Sequence, residues 1–311
     1  MKVYRSLADF KKLSCAIVTQ GTFDGVHVAH QVILNYLKNL AKEKQGETVV
    51  ITYEPHPRMV LFPEDHGLQL LSTLDEKIEL LKDQGIDHLL ILPFTKDFSR
   101  LSSLEFIRDI IVDKIGTKCL VIGYNHRFGK NREGSFEHLK LYGPAYGFEV
   151  FEIPEQDVDH VAVSSTKIRE AIKIGDVQLA SRYLSKAYSF EGRVVDGRKL
   201  GRTIGYPTAN LEPVNSLKLL PADGVYAAKA EVDGKIYGGM LNIGLNPTIP
   251  GKGRSIEINI FDFNEDIYYQ NIRVAFVEKL REEQNFSGIE ELKTQLHYDK
   301  LQALSALSKS T

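Results

Sequence analysis

Gly21 to His30 reads GTFDGVHVAH, a stretch with two glycines, a carboxylate and two imidazoles three positions apart. At a strand-to-helix turn, Gly21 and Gly25 let backbone come close to a phosphate and the helix N-terminus offers free N–H groups. His27 and His30, on one helical turn, can then donate to the same leaving group. Phe23 lies inside the turn and counts with Gly21 among the candidate ligand-lining residues. Two other readings compete: a glycine turn carrying two surface histidines, and a metal pair. The metal pair is the weaker, because no carboxylate or thiolate stands at a usual ligand spacing.

Gly123 to Gly134, GYNHRFGKNREG, interleaves Arg127, Lys130 and Arg132 with glycines. That suits a cationic loop over phosphates, or equally a solvated basic loop. Ser164 to Arg169, SSTKIR, puts hydroxyls at a helix start with Lys167 and Arg169 close behind, and an ordinary N-cap is its plain alternative. Gly192 to Leu211, GRVVDGRKLGRTIGYPTANL, joins Gly197 and Gly201 to Arg198, Lys199 and Arg202 and ends in Pro207-Thr208-Ala209-Asn210. Such a loop can wrap phosphates, while a Thr hydroxyl and an Asn carbonyl are hard oxygen ligands for Mg²⁺; a basic hairpin with a proline turn is the alternative. Glu257 shares a strand face with Ser255, Asn259 and Phe261, which makes it either a general base at a pocket or an exposed strand carboxylate.

These residues need elements to hold them. Apolar β-prone runs at Cys15–Thr19, Thr48–Tyr53, His88–Leu92, Cys119–Ile122 and Glu149–Ile153 alternate with helix-period segments. Ala29–Gln45 reads as a helix with Ile33, Leu37, Leu40 and Ala41 on one face. Thr73 with Glu76, and Ser102 with Glu105, read as capping boxes opening two more helices, with Gly85 and Gly116 as stops. The pattern is that of a parallel sheet with crossover helices. From about Lys186 the texture changes to short alternating strands with Gly, Pro and Asn at turns, which predicts a small antiparallel barrel. Tyr226–Val232 and Ile236–Leu241 form a hairpin about Asp233-Gly234-Lys235, and Ser255–Phe263 with Ile272–Val277 read as a further strand pair. Ser287 and Glu290 cap a last helix with a stripe of Ile289, Leu292, Leu296, Leu301 and Leu304.

Composition narrows the function classes. With 311 residues and a formal net charge of -2, the chain suits two domains and lacks the field of a dedicated nucleic-acid coater. No apolar stretch approaches a membrane span, and the first residues have no signal-peptide core. Two cysteines, Cys15 and Cys119, without a close Cys or His partner fit a reducing cytoplasm.

GTFDGVHVAH, the YEPHP of Tyr53 to Pro57 and SSTKIR, in this order and spacing, resemble the N-terminal module of the prokaryotic bifunctional riboflavin kinase/FMN adenylyltransferase (FAD synthetase) family. PTAN at Pro207, GVY at Gly224, NIG at Asn242 with Pro247-Thr248, Glu257 and LREEQNF at Leu280 resemble its riboflavin kinase module, so the likeness spans nearly the whole chain. It implies an α/β protein: a Rossmann-like nucleotidyltransferase domain over 1–185, then a small antiparallel β-barrel kinase domain with a C-terminal helix over 186–311. It implies that riboflavin and ATP give FMN in the barrel, and that FMN and ATP give FAD and pyrophosphate in the first domain. Mg²⁺ serves both steps. The partners are small molecules, with no nucleic acid and no membrane. By the same resemblance His56 lies near the isoalloxazine, and Asn125, Ser164, Thr166 and Arg169 surround ATP. Gly197, Gly201 and Arg202 belong to the kinase nucleotide loop, Thr208 and Asn210 hold Mg²⁺ and ATP phosphates, and Glu257 takes the proton from the ribityl 5′-hydroxyl. Four positions depart from the usual pattern: Ala29 for Gly, Asn125 for Asp, Asn259 for His and Tyr269 for Gly. The rival readings are a nucleotidyltransferase for another substrate with a flavin-sensing barrel, and a non-catalytic flavin- or RNA-binding protein.

Overall fold

The computed structural model describes the chain except residues 65–66, 125–126, 156, 159–160, 198–199, 246–253 and 311. It divides into two compact units, Met1–Ser165 and Thr166–Thr311.

In the first unit the chain runs β1 (Lys2–Tyr4), β2 (Ala16–Gln20), α1 (Val28–Lys44), β3 (Glu47–Glu54), α2 (Pro57–Leu61), α3 (Leu74–Asp83) and β4 (His88–Pro93). It continues with α4 (Ser103–Glu105), which runs on as a π-helix over Phe106–Ile115, then β5 (Thr117–Gly123), α5 (Phe136–Tyr146) and β6 (Glu149–Ile153). A two-stranded pair, β7 (Asp157–Val158) and β8 (Val161–Ala162), follows.

The six main strands form one parallel sheet in the order β1-β4-β3-β2-β5-β6. Both of its faces are covered, which is why its strands read as unbroken apolar runs. Val18, Ile51, Leu90 and Leu120 pack against Phe106, Ile110 and Leu139 on one side. Ile17, Val50, Leu89 and Val121 pack against Leu34, Leu37 and Leu81 on the other. Adjacent residues thus serve opposite cores, as the period of a strand requires. Both predicted capping boxes form, at Thr73/Glu76 and Ser102/Glu105. The edge strand β1 has no sequence signal, since three residues carry no period; its pairing with β4 alone makes it a strand.

The second unit takes in most of α6 (Ser165–Lys173), then α7 (Val177–Leu184), β9 (Ser189–Val195), α8 (Leu200–Thr203), β10 (Ala209–Pro213), β11 (Gly224–Val232), β12 (Lys235–Leu245), β13 (Arg254–Ile260), β14 (Asn271–Arg281) and α9 (Ile289–Lys309). Its six strands close into an antiparallel barrel ordered β10-β13-β12-β11-β14-β9. The β11–β12 hairpin turns on two residues, Asp233 at φ 48° and Gly234 at φ 76°, the left-handed pair that a tight hairpin demands.

Three expectations are corrected here. The segments expected as a further pair, around Ser255 and Ile272, are both strands but are not partners: β13 pairs with β10 and β12, and β14 with β11 and β9. A long connection between two strands leaves their pairing to barrel closure. The N-terminus of α9 is Gly288, and Ser287 bonds Glu291 rather than Glu290, with its N and Oγ at 2.8 and 2.7 Å from Oε2. The buried stripe of α9 is Asp299, Ala303 and Ala306 with Leu296 and Leu307 beside them, while Ile289, Leu301 and Leu304 are exposed. Small residues let the helix approach the barrel closely, and Asp299 is neutralised there by a two-pronged contact with Arg281 at 2.8 and 2.7 Å.

Candidate active sites

The string Gly21 to His27 occupies the loop from β2 to α1, between strands whose order reverses about β2, at the carboxyl ends where an open parallel sheet binds ligands. Phe23, Gly25 and Val26 sit at φ 46°, 82° and 42°. A β-branched residue at positive φ costs on the order of 1–3 kcal/mol, so the turn must be held by its surroundings. Asp24 does this. It is buried and accepts from Leu71 N, Ser72 N and Ser72 Oγ at 3.2, 2.9 and 3.3 Å, while Gly25 N donates to Ser72 Oγ at 2.9 Å. Ser165 Oγ donates to Asp24 O at 3.1 Å, and the Gln31 amide to Val26 O at 2.9 Å.

The turn brings the two imidazoles together. His27 is the N-cap residue of α1, and its ring stacks on that of His30 with centroids 3.7 Å apart and planes 19° apart. Phe23, 4.9 Å from His30, supports the pair, and a Cβ on Gly21 would stand 3.3 Å from the Phe23 ring. His27 is buried, so the reading of two surface histidines does not describe it. His30 keeps an enclosed Nδ1 that has no hydrogen-bond partner among the described residues. Burial holds its pKa well below the ordinary 6.5, helped by the nearby positive charges of His27 and Lys77. The resting ring is therefore neutral at pH 7, and an arriving polyanion would favour its protonation.

His56, just after β3, is the N-cap of α2, where its side chain accepts from Arg58 N at 3.2 Å. Ser164, half-buried, lies in the first unit, one residue before its end. Thr166 and Arg169 lie on α6 in the second unit, Thr166 exposed and Arg169 half-buried. Asn125, Arg198, Lys199, Pro247 and Thr248 lie outside the described residues.

In the barrel, strand register builds the second cluster. Glu257 stands opposite Asn210 on β10 and opposite Asn242 on β12, so three polar side chains share one row on the face away from buried Ile256 and Ile258. Thr208 Oγ1 donates to Glu257 Oε2 at 3.1 Å. Asn242 Nδ2 is 3.5 Å from Glu283 Oε1, and that carboxylate lies over Gly244, where a Cβ would collide with it. Asn242 and Glu283 were not among the predicted site residues. Only the register, which the sequence does not print, puts Asn242 beside Glu257. Gly197 has its own reason: a Cβ there would come within 1.8 Å of Asn210 Nδ2. Gly201 backs onto Tyr206 O, 2.1 Å from its would-be Cβ. Thr208, the partner of Glu257, also lines a cavity of about 460 Å³ together with Arg202, Ile258, Phe263 and Tyr268 among others, with Arg202 Nη2 3.4 Å from Tyr268 OH. Among the described residues no group of three or more His, Cys, Asp or Glu could hold a metal ion.

A FAD synthetase family model matches residues 9–167 and a riboflavin kinase model residues 184–307, each over one of these clusters. The bifunctional riboflavin kinase/FMN adenylyltransferase of Bacillus subtilis is 37% identical over 94% of this chain and 93% of its own. That of Pseudomonas fluorescens is 37% identical over 91% of this chain and 90% of its own. The chain belongs to the bifunctional riboflavin kinase/FMN adenylyltransferase family. A crystal structure from Streptococcus pneumoniae, titled a macrolide-efflux protein, has the same fold, with a TM-score of 0.88 at 32% identity over 96% of this chain and 97% of its own. Among the described residues, no helix is long and apolar enough to cross a membrane.

Two of this family member's departures bear on the barrel cluster. Asn259 is buried and its Nδ2 donates to Pro207 O at 2.6 Å, pinning the turn that carries Thr208. Tyr269 has φ 65°, a region that favours glycine, and donates from its hydroxyl to Asp196 Oδ2 at 2.5 Å, next to Gly197.

Proposed function

We propose that the chain makes FAD in two steps: riboflavin and ATP give FMN and ADP at the barrel cluster, and FMN and ATP give FAD and pyrophosphate at the histidine turn. The observation that carries this reading is the presence, on one chain, of a stacked histidine pair at a sheet's switch point and a Thr208–Glu257 contact beside a cavity in a closed barrel. The functional division is taken at 1–185 and 186–311.

In adenylyl transfer an FMN phosphate oxygen attacks the α-phosphorus and pyrophosphate leaves. His27, His30 and the N–H groups of the α1 N-terminus stabilise the charge gathering on the phosphates. Gly21 and Phe23 shape this pocket, His56 stands by the isoalloxazine, and Asn125, Ser164, Thr166 and Arg169 hold ATP. In the kinase step Glu257 accepts the ribityl 5′-hydroxyl proton as that oxygen attacks the γ-phosphorus. Gly197, Gly201 and Arg202 line the nucleotide loop.

The donor set of the barrel cluster fits Mg²⁺: Thr208 Oγ1, the Asn210 amide oxygen and the Glu257 carboxylate are hard oxygens, two of them already within hydrogen-bond reach. Thr208 and Asn210 would hold the ion with ATP, and bound Mg²⁺ supplies neutralisation of phosphate charge. The reading is of a cytoplasmic enzyme, in keeping with the free thiols Cys15 and Cys119. The efflux activity that the streptococcal protein's name suggests is not carried over, because both halves of this chain match enzyme family models.

One incubation with riboflavin, ATP and Mg²⁺, resolved by chromatography, tests the proposal. FMN should appear first and FAD after it. FAD formed from supplied FMN, with no phosphorylation of riboflavin, would leave an adenylyltransferase with a sensing barrel.

A further inference from the structure

Lys77 lies on the first turns of α3, past the N-cap Thr73. Only 5% of it is exposed, and among the described residues its ammonium makes no hydrogen bond or ion pair within 4 Å. Surface lysines keep the head group in water, and buried ones are almost always paired. Lys77 is buried along its length with an unpaired ammonium, an arrangement suited to an incoming anion.

The groups that face it name the place. Asp24 and Glu54 lie near enough to act electrostatically on its ammonium, and the ammonium near enough to act on His30. Asp24 belongs to the histidine turn and is already committed to Leu71 and Ser72. Glu54 ends β3 at the carboxyl edge of the sheet. The backbone of Lys77 is tied to the same turn, because Ser72, which holds Gly25 N and Asp24, directly precedes the Thr73–Glu76 capping box. Its location is therefore set by the elements that set His27 and His30.

We propose that Lys77 is a phosphate-binding residue of the histidine site, its ammonium meeting a phosphoryl oxygen of ATP or of FMN beside His30. The proposal rests on the adenylyltransferase reading of the first unit. Burial lowers the ammonium's pKa while Asp24 and Glu54 oppose that fall. An arriving phosphate would favour the charged form further, and a side chain already held in place by the fold needs no reorganisation when charge builds on the departing pyrophosphate.

The test uses the full chain with Lys77→Met, which keeps length and removes charge, and Lys77→Gln as a second variant that keeps a donor. Either should lower kcat/KM for FAD formation from FMN and ATP by about a hundredfold. Phosphorylation of riboflavin by the same molecule should be unchanged. The melting temperature without ligand should hold or rise, since a buried unpaired charge has gone, and the rise produced by inorganic pyrophosphate in the wild type should vanish. A loss confined to KM for ATP assigns the contact to the triphosphate; one confined to KM for FMN assigns it to the flavin phosphate. Unchanged adenylyl transfer, retained pyrophosphate stabilisation, or a drop in melting temperature with parallel loss of both activities in both variants would overturn the role. A wild-type protein that makes no FAD from FMN would instead overturn the underlying reading, and the pyrophosphate shift would still judge Lys77.

Discussion

The two clusters are assembled by opposite means. Around His27 and His30, a contiguous string makes a turn that its own preferences disfavour, with Phe23 and Val26 at positive φ, and a buried carboxylate latch, Asp24 to Ser72, holds it in place. Around Glu257, the three residues of the row lie on regular strands, and convergence comes from register: Asn210, Glu257 and Asn242 meet because three strands are aligned. The first design stores its geometry in one loop and one latch, and the second spreads it over a barrel. Damage to the first should therefore stay local, whereas the second is broken most cleanly by changing a single side chain within an intact row.

Glu257→Gln keeps volume and removes the proton acceptor. Riboflavin phosphorylation should fall by about 10²- to 10⁴-fold in turnover, with FAD formation from supplied FMN spared. Loss of both activities together would erase the separation between the clusters. His27→Ala combined with His30→Ala should do the reverse, lowering FAD formation by at least about a hundredfold while FMN still accumulates, as chromatography of the reaction mixture would record.

Gly197→Ala sharpens the barrel side. The added methyl meets the end of the Asn210 side chain, which can swing away, so the fold should barely notice. Kinase kcat should nevertheless drop roughly tenfold to a hundredfold, because Asn210 leaves the row of Glu257. Unaltered kinetics would show that Asn210 needs no fixed position.

The boundary proposed at 185/186 can be weighed with two fragments. One starting at residue 186 lacks α7, whose Val177, Ala180, Tyr183 and Leu184 are buried. One starting at residue 166 keeps it. Both should phosphorylate riboflavin, with the longer melting several degrees higher in calorimetry.

The smallest effect belongs to His30. Its folded pKa lies below the unfolded 6.5, so as pH falls below that value the unfolded chain takes up the proton more readily and stability is lost. The melting temperature of the wild type should decline more steeply between about pH 7 and 5 than that of His30→Gln. Parallel profiles would mean that the ring is not shielded.

Much of this was legible in the residues. Five of the six strands of the parallel sheet, both capping boxes and the Asp233-Gly234 hairpin follow from periodicity and turn chemistry, because those signals act over a few neighbours. The histidine motif was legible for the same reason. Glu257 was not selected by its own strand pattern, and needed the resemblance to be chosen. The apolar stripe expected on α9 failed because Ala303, Ala306 and the Arg281-paired Asp299, not the larger leucines, face the barrel.

The sequence by itself determined the alternation of strand and helix and the change of texture near Lys186, and it singled out the short strings whose residue types suit phosphate chemistry. These are local properties, governed by backbone preference and by the spacing of side chains along one element. Tertiary structure alone decided that β13 and β14 are not partners, that Asn242 joins Asn210 and Glu257 in one row, and that Lys77 is enclosed near Asp24, Glu54 and His30. Each of these depends on contacts between residues far apart in the chain, where closing a barrel or covering a sheet selects one pairing among many that local preference leaves equal.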